Sequence, residues 1–377
     1  MGVSKVVEIS GRLVGDGQSI FVVAEVGSNH NQDLSLSRRL IEVAAAAKSD
    51  AVKFQLFRAE DLYPANCGVV DTAMGPVDFY GMLKRFALPP EWIPELKAYA
   101  EKLGLLFMCT PFDEEGVGYL ASLNVPAFKI ASSELNHFPL LRTAAQYRKP
   151  LICSTGLSIL CDIEEALQII RNEWPNAAVV LLHCISAYPL PPEEANLGSI
   201  QTLERAFDIP TGFSDHTADR EIAPCVAVAS GACMIEKHFT MSHSLSGPDH
   251  AFALEPDELS SMIRVIREVE KIEPLERLKW VSRRFGSERV QAILGHGRKE
   301  IMPAERELYP NDKRSIRAIK DIPEREVLSH QNIRILRSER NLKPGIHPRY
   351  WGIVLGARTV KQIAAGDGLD WEHLLAR

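Results

Sequence analysis

The chain has 377 residues, and its 43 Lys and Arg against 49 Asp and Glu leave a net charge of −6. That balance excludes a nucleic-acid partner gripped by bulk positive charge. Hydrophobic residues at 46% and charged residues at 24% exclude a disordered chain, and the length calls for two or three domains or one large barrel with an appendage.

Taken in chain order, the N-terminus (Met1-Gly2-Val3-Ser4-Lys5) lacks an apolar signal core, and no later run approaches the roughly 18 apolar residues of a membrane span. Short apolar runs then alternate with amphipathic stretches of helical length. The runs cover 21–26, 51–54, 105–109, 127–131, 150–153, 178–184, 211–213 and 233–236. Helical patterns cover 36–47, 91–102, 138–147, 162–171, 198–207, 220–229 and 258–272, and 58–90 reads as a long insertion. A doubly wound open sheet shows the same alternation, but the count of eight favours a (β/α)8 TIM barrel over residues 1–275. Residues 276–311, rich in Arg, Lys and Glu, read as a linker. Residues 312–377 carry short β-like runs broken by Pro323, Pro344 and Pro348, a piece too small for a confident core of its own. The seven cysteines are odd in number and form no C-x-x-C pair, so a reducing, cytoplasmic setting is expected.

Each apolar run ends in a polar cluster. Barrel enzymes assemble their sites from the C-terminal strand ends, so these clusters should meet at one mouth. Lys53 and Lys129 lie inside apolar runs, where a lysine needs a partner, which points to an anion. The hydroxyls of Thr110, Ser132, Ser154 and Ser214 stand at other strand ends and could complete a phosphate cradle. His216 and His238 follow the last two runs. They could hold one divalent ion, or divide into a hydrogen-bonded histidine and a general base. Glu25, Glu134, Asp215 and Asp249 are candidate proton carriers or acceptors for sugar hydroxyls. A metal-assisted enzyme on an anionic small molecule fits this set. A Schiff-base aldolase using Lys53 or Lys129, and a non-catalytic sugar-binding module, remain open beside it.

Several of these segments resemble a known family. Ala24-Glu25-Val26-Gly27-Ser28-Asn29-His30-Asn31, Ala51-Val52-Lys53-Phe54-Gln55, Lys129-Ile130-Ala131-Ser132, Ser154-Thr155-Gly156, Gly212-Phe213-Ser214-Asp215-His216-Thr217 and Glu236-Lys237-His238-Phe239-Thr240 are similar to the sialic acid (N-acetylneuraminate) synthases. Gly247-Pro248-Asp249-His250 continues the match, and Arg314-Ser315 with Gly345-Ile346-His347-Pro348 resembles the family's small antifreeze-like (SAF) domain. Asn136-His137 looks most like the branch named for spore coat polysaccharide biosynthesis protein E. The resemblance implies condensation of phosphoenolpyruvate with an amino-sugar aldehyde such as N-acetylmannosamine, giving a nine-carbon 2-keto acid and phosphate. It implies manganese or magnesium on His216 and His238. It also implies phosphoenolpyruvate on Lys53, Thr110, Lys129, Ser132, Ser154 and Ser214, and the sugar beside Glu25, Gln55, Tyr188 and Asp249. It further implies a domain-swapped homodimer in which Arg314 reaches the partner's sugar. Gln32-Asp33, Ser133 and Ser186 depart from common family residues where the sugar would sit.

Overall fold

A computed structural model describes residues 5–72, 75–338 and 342–375. Eight parallel strands close into a barrel: β1 Phe21–Glu25, β2 Ala51–Leu56, β3 Leu106–Pro111, β4 Phe128–Ile130, β5 Leu151–Ser154, β6 Val179–Cys184, β7 Thr211–Asp215 and β8 Met234–His238. Strand β8 pairs back onto β1, with His238 beside Glu25, and β1 pairs onto β2, with Glu25 beside Lys53. The strands are buried almost throughout, which is why they read as apolar runs rather than alternating ones.

Side chains alternate across each strand, so every second residue enters the barrel. At the N-terminal end these inward residues are apolar: Phe21, Val23, Ala51, Met108, Ile152, Val180 and Met234 form one cluster. A two-stranded hairpin, Val6–Ile9 with Arg12–Gly15, adds Val7, Ile9 and Val14 beneath them and plugs that end. Moving up the strands, the inward positions turn polar. Gly212 sits on this inward face because a Cβ there would lie 2.4 Å from the Met234 carbonyl oxygen, so only glycine lets β7 and β8 approach this closely.

Helices follow the strands with identifiable starts. Asp33 caps Leu34–Ala46 by accepting the Leu36 N–H at 3.0 Å. Asp113 caps Glu114–Ser122 in the same manner through Gly116. That second helix has no counterpart among the predicted ones, because Gly116 and Gly118 interrupt its apolar period. The insertion after β2 contains a short helix Ala59–Leu62, a hairpin Val69–Thr72 with Gly75–Asp78, and a helix Phe79–Phe86.

The expected linker is not a linker. Pro274–Phe285 and Ser287–Leu294 are helices, and Val281, Val290 and Ile293 are buried in the main core. Leu197 and Gly198 donate backbone hydrogen bonds to Ile293 and Leu294, fastening this segment to the barrel. The charges that suggested a linker are the solvated faces of these helices.

The small domain pairs Ser315–Ala318 with Ile333–Leu336 around a core of Ile316, Ile322, Leu328, Ile346, Ile363 and Leu369. It rests on the barrel of its own chain. Tyr63 donates to Asp312 at 2.9 Å, the Arg337 N–H donates to the Leu62 carbonyl at 2.8 Å, and the Asn136 side chain bonds both backbone groups of Arg314. No helix among the described residues is long and apolar enough to cross a membrane.

Candidate active site

The upper, inward-facing positions converge on a cluster of charge. Lys53 on β2 lies 2.7 Å from Glu25 Oε2, in an ion pair rather than an aligned hydrogen bond, and donates to Thr110 at 3.1 Å. Gln55 donates to the other Glu25 oxygen at 2.7 Å. Lys129 on β4 donates to Ser154 at 2.6 Å. Between the two lysines stands Glu236 of β8, 3.6 Å from each ammonium and accepting from Ser214 at 3.0 Å. All four charged groups are buried.

The electrostatics differ from lysine to lysine. Burial opposes the charge of Lys53, but Glu236 and Glu25 outweigh it and hold its pKa above the ordinary lysine value. For Lys129 burial prevails over Glu236, with Lys53 adding repulsion, and the pKa is lowered. Glu236 would be pushed up by burial, yet Lys129 and Lys53 hold its carboxyl below the usual range. Lys53 thus has a carboxylate at 2.7 Å in Glu25, whereas the nearest one to Lys129 is Glu236 at 3.6 Å.

His216 and His238 stand beside this cluster with ring centroids 5.8 Å apart. The His216 Nδ1–H donates to the Ile185 carbonyl at 2.8 Å, which leaves the lone pair on Nε2. Tyr188 packs on that ring at 4.1 Å. Buried His238 Nδ1 has no hydrogen-bond partner among the described residues and lies 3.8 Å from Asp249, whose carboxylate accepts from Ser28. Burial lowers the pKa of both imidazoles, so both favour the neutral, ligating form. No group of three or more His, Cys, Asp or Glu suited to a metal is assembled among the described residues.

Above the cluster opens a cavity of about 480 Å³. Gln55, Ser132, Tyr188, Asp249 and Arg337 line its polar side. Phe57, Tyr63, Phe79, Met82, Leu83 and Phe86, mostly from the insertion after β2, form an apolar wall opposite. Gly156 makes the floor tight, because its N–H donates to Ser132 at 3.0 Å and a Cβ there would fall 2.4 Å from Ser186 Oγ.

Of the residues expected from sequence, Glu25, Lys53, Gln55, Thr110, Lys129, Ser132, Ser154, Tyr188, Ser214, His216, His238 and Asp249 are brought together here. Three are not. Asp215 points out of the barrel, because Ser214 and His216 take the inward face. Its carboxylate is spent on Lys237 at 2.7 Å and on the Thr217 N–H. Glu134 is fully buried beneath the small domain, where Arg314 and Arg337 each approach it at 2.6 Å. Burial would raise its pKa, but the two guanidiniums overrule burial and hold it well below the usual range. Arg314 is 1% exposed, and beside Glu134 it donates to the carbonyls of Asp61, Phe112 and Ile335 rather than lining the cavity.

Two residues at the mouth escaped the sequence reading. Glu236 lies two residues before His238 on one strand, so period two already placed both on the same face. Arg337 comes from the small domain, and nothing local marks it as reaching the mouth.

A closed barrel whose charged mouth is roofed by its own small β-domain defines a barrel enzyme with an accessory SAF domain. Residues 40–274 match the NeuB family model and residues 313–375 the SAF domain, and the chain belongs to the NeuB family. It is 38% identical to the spore coat polysaccharide biosynthesis protein SpsE of Bacillus subtilis over 98% of this chain and 97% of that one. The crystal structure of that protein superposes with a TM-score of 0.83, covering 99% of each chain at 35% identity. It is 34% identical to the N,N'-diacetyllegionaminic acid synthase of Legionella pneumophila over 96% of each.

Proposed function

We propose that the chain condenses phosphoenolpyruvate with the open-chain aldehyde of an unphosphorylated, N-acylated amino sugar, giving a nine-carbon 2-keto acid and phosphate. The observation that carries this reading is the buried pair Lys53 and Lys129, each bonded to a hydroxyl and sharing Glu236, at the base of a sugar-sized cavity.

In this reading Lys53 and Lys129, with Thr110, Ser132, Ser154 and Ser214, hold the carboxylate and phosphate of phosphoenolpyruvate out of water, where charge-assisted bonds are strongest. The aldehyde lies above them between Gln55, Tyr188 and Asp249. The methylene carbon bonds to the aldehyde carbon, the former aldehyde oxygen takes a proton, and the cationic C2 takes water. That water releases one proton, which supplies the former aldehyde oxygen, and phosphate departs by C–O cleavage, taking the remaining proton of the C2 hydroxyl as the ketone forms. Glu25, fixed by Gln55 and Lys53, is the carboxylate placed to hold the proton in transit.

The two-histidine set fits a divalent cation, manganese or magnesium. His216 Nε2 keeps its lone pair, and His238 Nδ1 is a buried nitrogen without a partner among the described residues, so His216 and His238 would hold the ion with water and substrate on the other positions. When bound there, it supplies Lewis-acid polarisation of the aldehyde oxygen.

Two features support the sugar class. Arg337 is the one cation among the described lining residues, and it is already committed to Glu134 and Asp312, which leaves none for a sugar phosphate. The apolar wall suits deoxygenated carbons and N-acyl groups, as in the N,N'-diacetyl product in the Legionella relative's name. Each chain completes its own mouth in this reading, whether or not two chains pair. The test is phosphate release from phosphoenolpyruvate with N-acetylmannosamine, its 6-phosphate and a 2,4-diacetamido-6-deoxy hexose, with product masses. Release with the two unphosphorylated sugars is expected, and release with none of the three overturns the reading.

A further inference from the structure

Glu305 lies in the segment that the sequence presents as a linker, on the short turn Pro303–Glu305, and it is 0% exposed. Its Oε1 accepts the Leu157 N–H at 2.7 Å and the Ser186 N–H at 2.9 Å, while Oε2 takes the Met302 N–H at 3.3 Å. One carboxylate oxygen thus ties the loop after β5 to the loop after β6. A buried cation accompanies it: burial pulls the Lys299 ammonium below the ordinary lysine range, and Glu305 draws it back up.

The Ser186 N–H and the Ile185 carbonyl are the two ends of a single peptide group. Glu305 holds the N–H end, and His216 Nδ1 donates to the carbonyl end at 2.8 Å. A peptide whose N–H faces a carboxylate in a low-dielectric interior becomes a stronger acceptor at its oxygen, since chained hydrogen bonds polarise one another. Cys184 Sγ, at 3.8 Å from the same Nδ1, is the weaker alternative. Ligating histidines are commonly oriented by a carboxylate on the ring nitrogen opposite the ligand. Here one peptide group stands between the two.

We propose that Glu305 is a positioning residue that acts through the Ile185–Ser186 peptide, fixing His216 in the Nδ1–H tautomer with the lone pair on Nε2. The same oxygen accepts from Leu157, whose neighbour Gly156 donates to Ser132 Oγ. The catalytic consequence rests on the function proposed above, whereas the orientation of His216 does not.

The test compares the full-length parent, Glu305→Gln and Glu305→Ala. Long-range nitrogen–proton spectra of metal-free, ¹⁵N-histidine-labelled protein report the tautomer, with His216 assigned by its loss in His216→Gln. Steady-state assays report kcat and KM for phosphoenolpyruvate. Glu305→Ala should mix the His216 tautomers and lower kcat at least about tenfold, with KM changing less than about threefold. Glu305→Gln, which keeps an oxygen for both amides, should recover most of kcat and shift the Nδ1–H proton upfield as its hydrogen bond weakens. An unchanged tautomer in Glu305→Ala, with or without loss of kcat, overturns the proposal, as does a mixed tautomer with parental kcat. Where Glu305→Ala does not fold, an unmoved Nδ1–H resonance in Glu305→Gln overturns it. A parent that releases no phosphate sinks the functional reading alone, since the spectra judge His216 independently.

Discussion

Two buried ion clusters, one in the barrel mouth and one beneath the small domain, are finished in different ways. Beneath the small domain, Glu134 has both oxygens engaged by Arg314 and Arg337, and Arg314 has its other donors on backbone carbonyls. In the mouth, Lys129 has its nearest carboxylate at 3.6 Å, and Glu236 Oε2 and His238 Nδ1 have no hydrogen-bond partner among the described residues. A cluster saturated from within holds structure together; one left short of partners is prepared for a ligand. Charge and burial alone do not separate the two kinds, because both clusters are buried and both contain carboxylates held below their usual pKa. The carboxylate oxygens do: both of Glu134 accept hydrogen bonds while Glu236 Oε2 accepts none among the described residues, although His137 Nδ1 beside Glu134 is also without a partner.

The sharpest way to break this contrast is to remove a ligating group from the mouth. His216→Ala or His238→Ala should abolish turnover, and chelator should do so reversibly, with manganese or magnesium restoring it. Parental activity in excess chelator would remove the metal from the account. A step smaller, Lys53→Ala and Lys129→Ala should each lower kcat/KM for phosphoenolpyruvate at least tenfold. A charge-assisted bond is worth roughly 1.5–3 kcal/mol. Equal efficiency in mutant and parent would refute the anion cradle.

The saturated cluster should respond in stability instead. Glu134→Ala leaves two buried guanidiniums facing each other, and breaking such a buried pair costs about 3–5 kcal/mol. The urea midpoint should drop accordingly, and a variant that loses rate at parental stability would reverse the assignment of Glu134. The same cluster gives a pH signature. The folded pKa of Glu134 lies below its ordinary value of 4.5, so its contribution to stability is complete above that value and is lost as pH falls beneath it. Urea midpoints of the parent should decline over that window, and Glu134→Gln should decline less steeply. Smallest of all is an effect expected to be nil. Mixing an Arg314→Ala chain with a His216→Ala chain should give no more activity than the Arg314→Ala chain alone, if each small domain serves its own barrel. Activity above that level in mixed dimers would assign the small domain to the partner's barrel.

Much of the mouth was legible because strands impose period two and barrels gather their strand ends. Lys53, Lys129, Ser214 and the two histidines followed from those rules together with the cost of burying charge. Asp215 misled because it is adjacent to Ser214 and His216 in sequence, while the pleat turns it to the opposite face, where Lys237 waits. The segment 276–311 misled because a charged helix face and a linker share a composition, and Val281, Val290 and Ile293 are too sparse to announce a buried stripe.

What the sequence determined by itself is the alternation of strand and helix, the count of eight, and the chemical character of the barrel's upper end. These follow from local periodicity and from the penalty on unpaired buried charge, both of which are properties of short stretches of chain. Only the tertiary structure decided that Glu134 and Arg314 serve the contact between domains, that Arg337 overlooks the mouth, and that Glu305 reaches the loops after β5 and β6. Those pairings join residues that are distant along the chain, and the geometry of a hydrogen bond is not encoded by either partner alone.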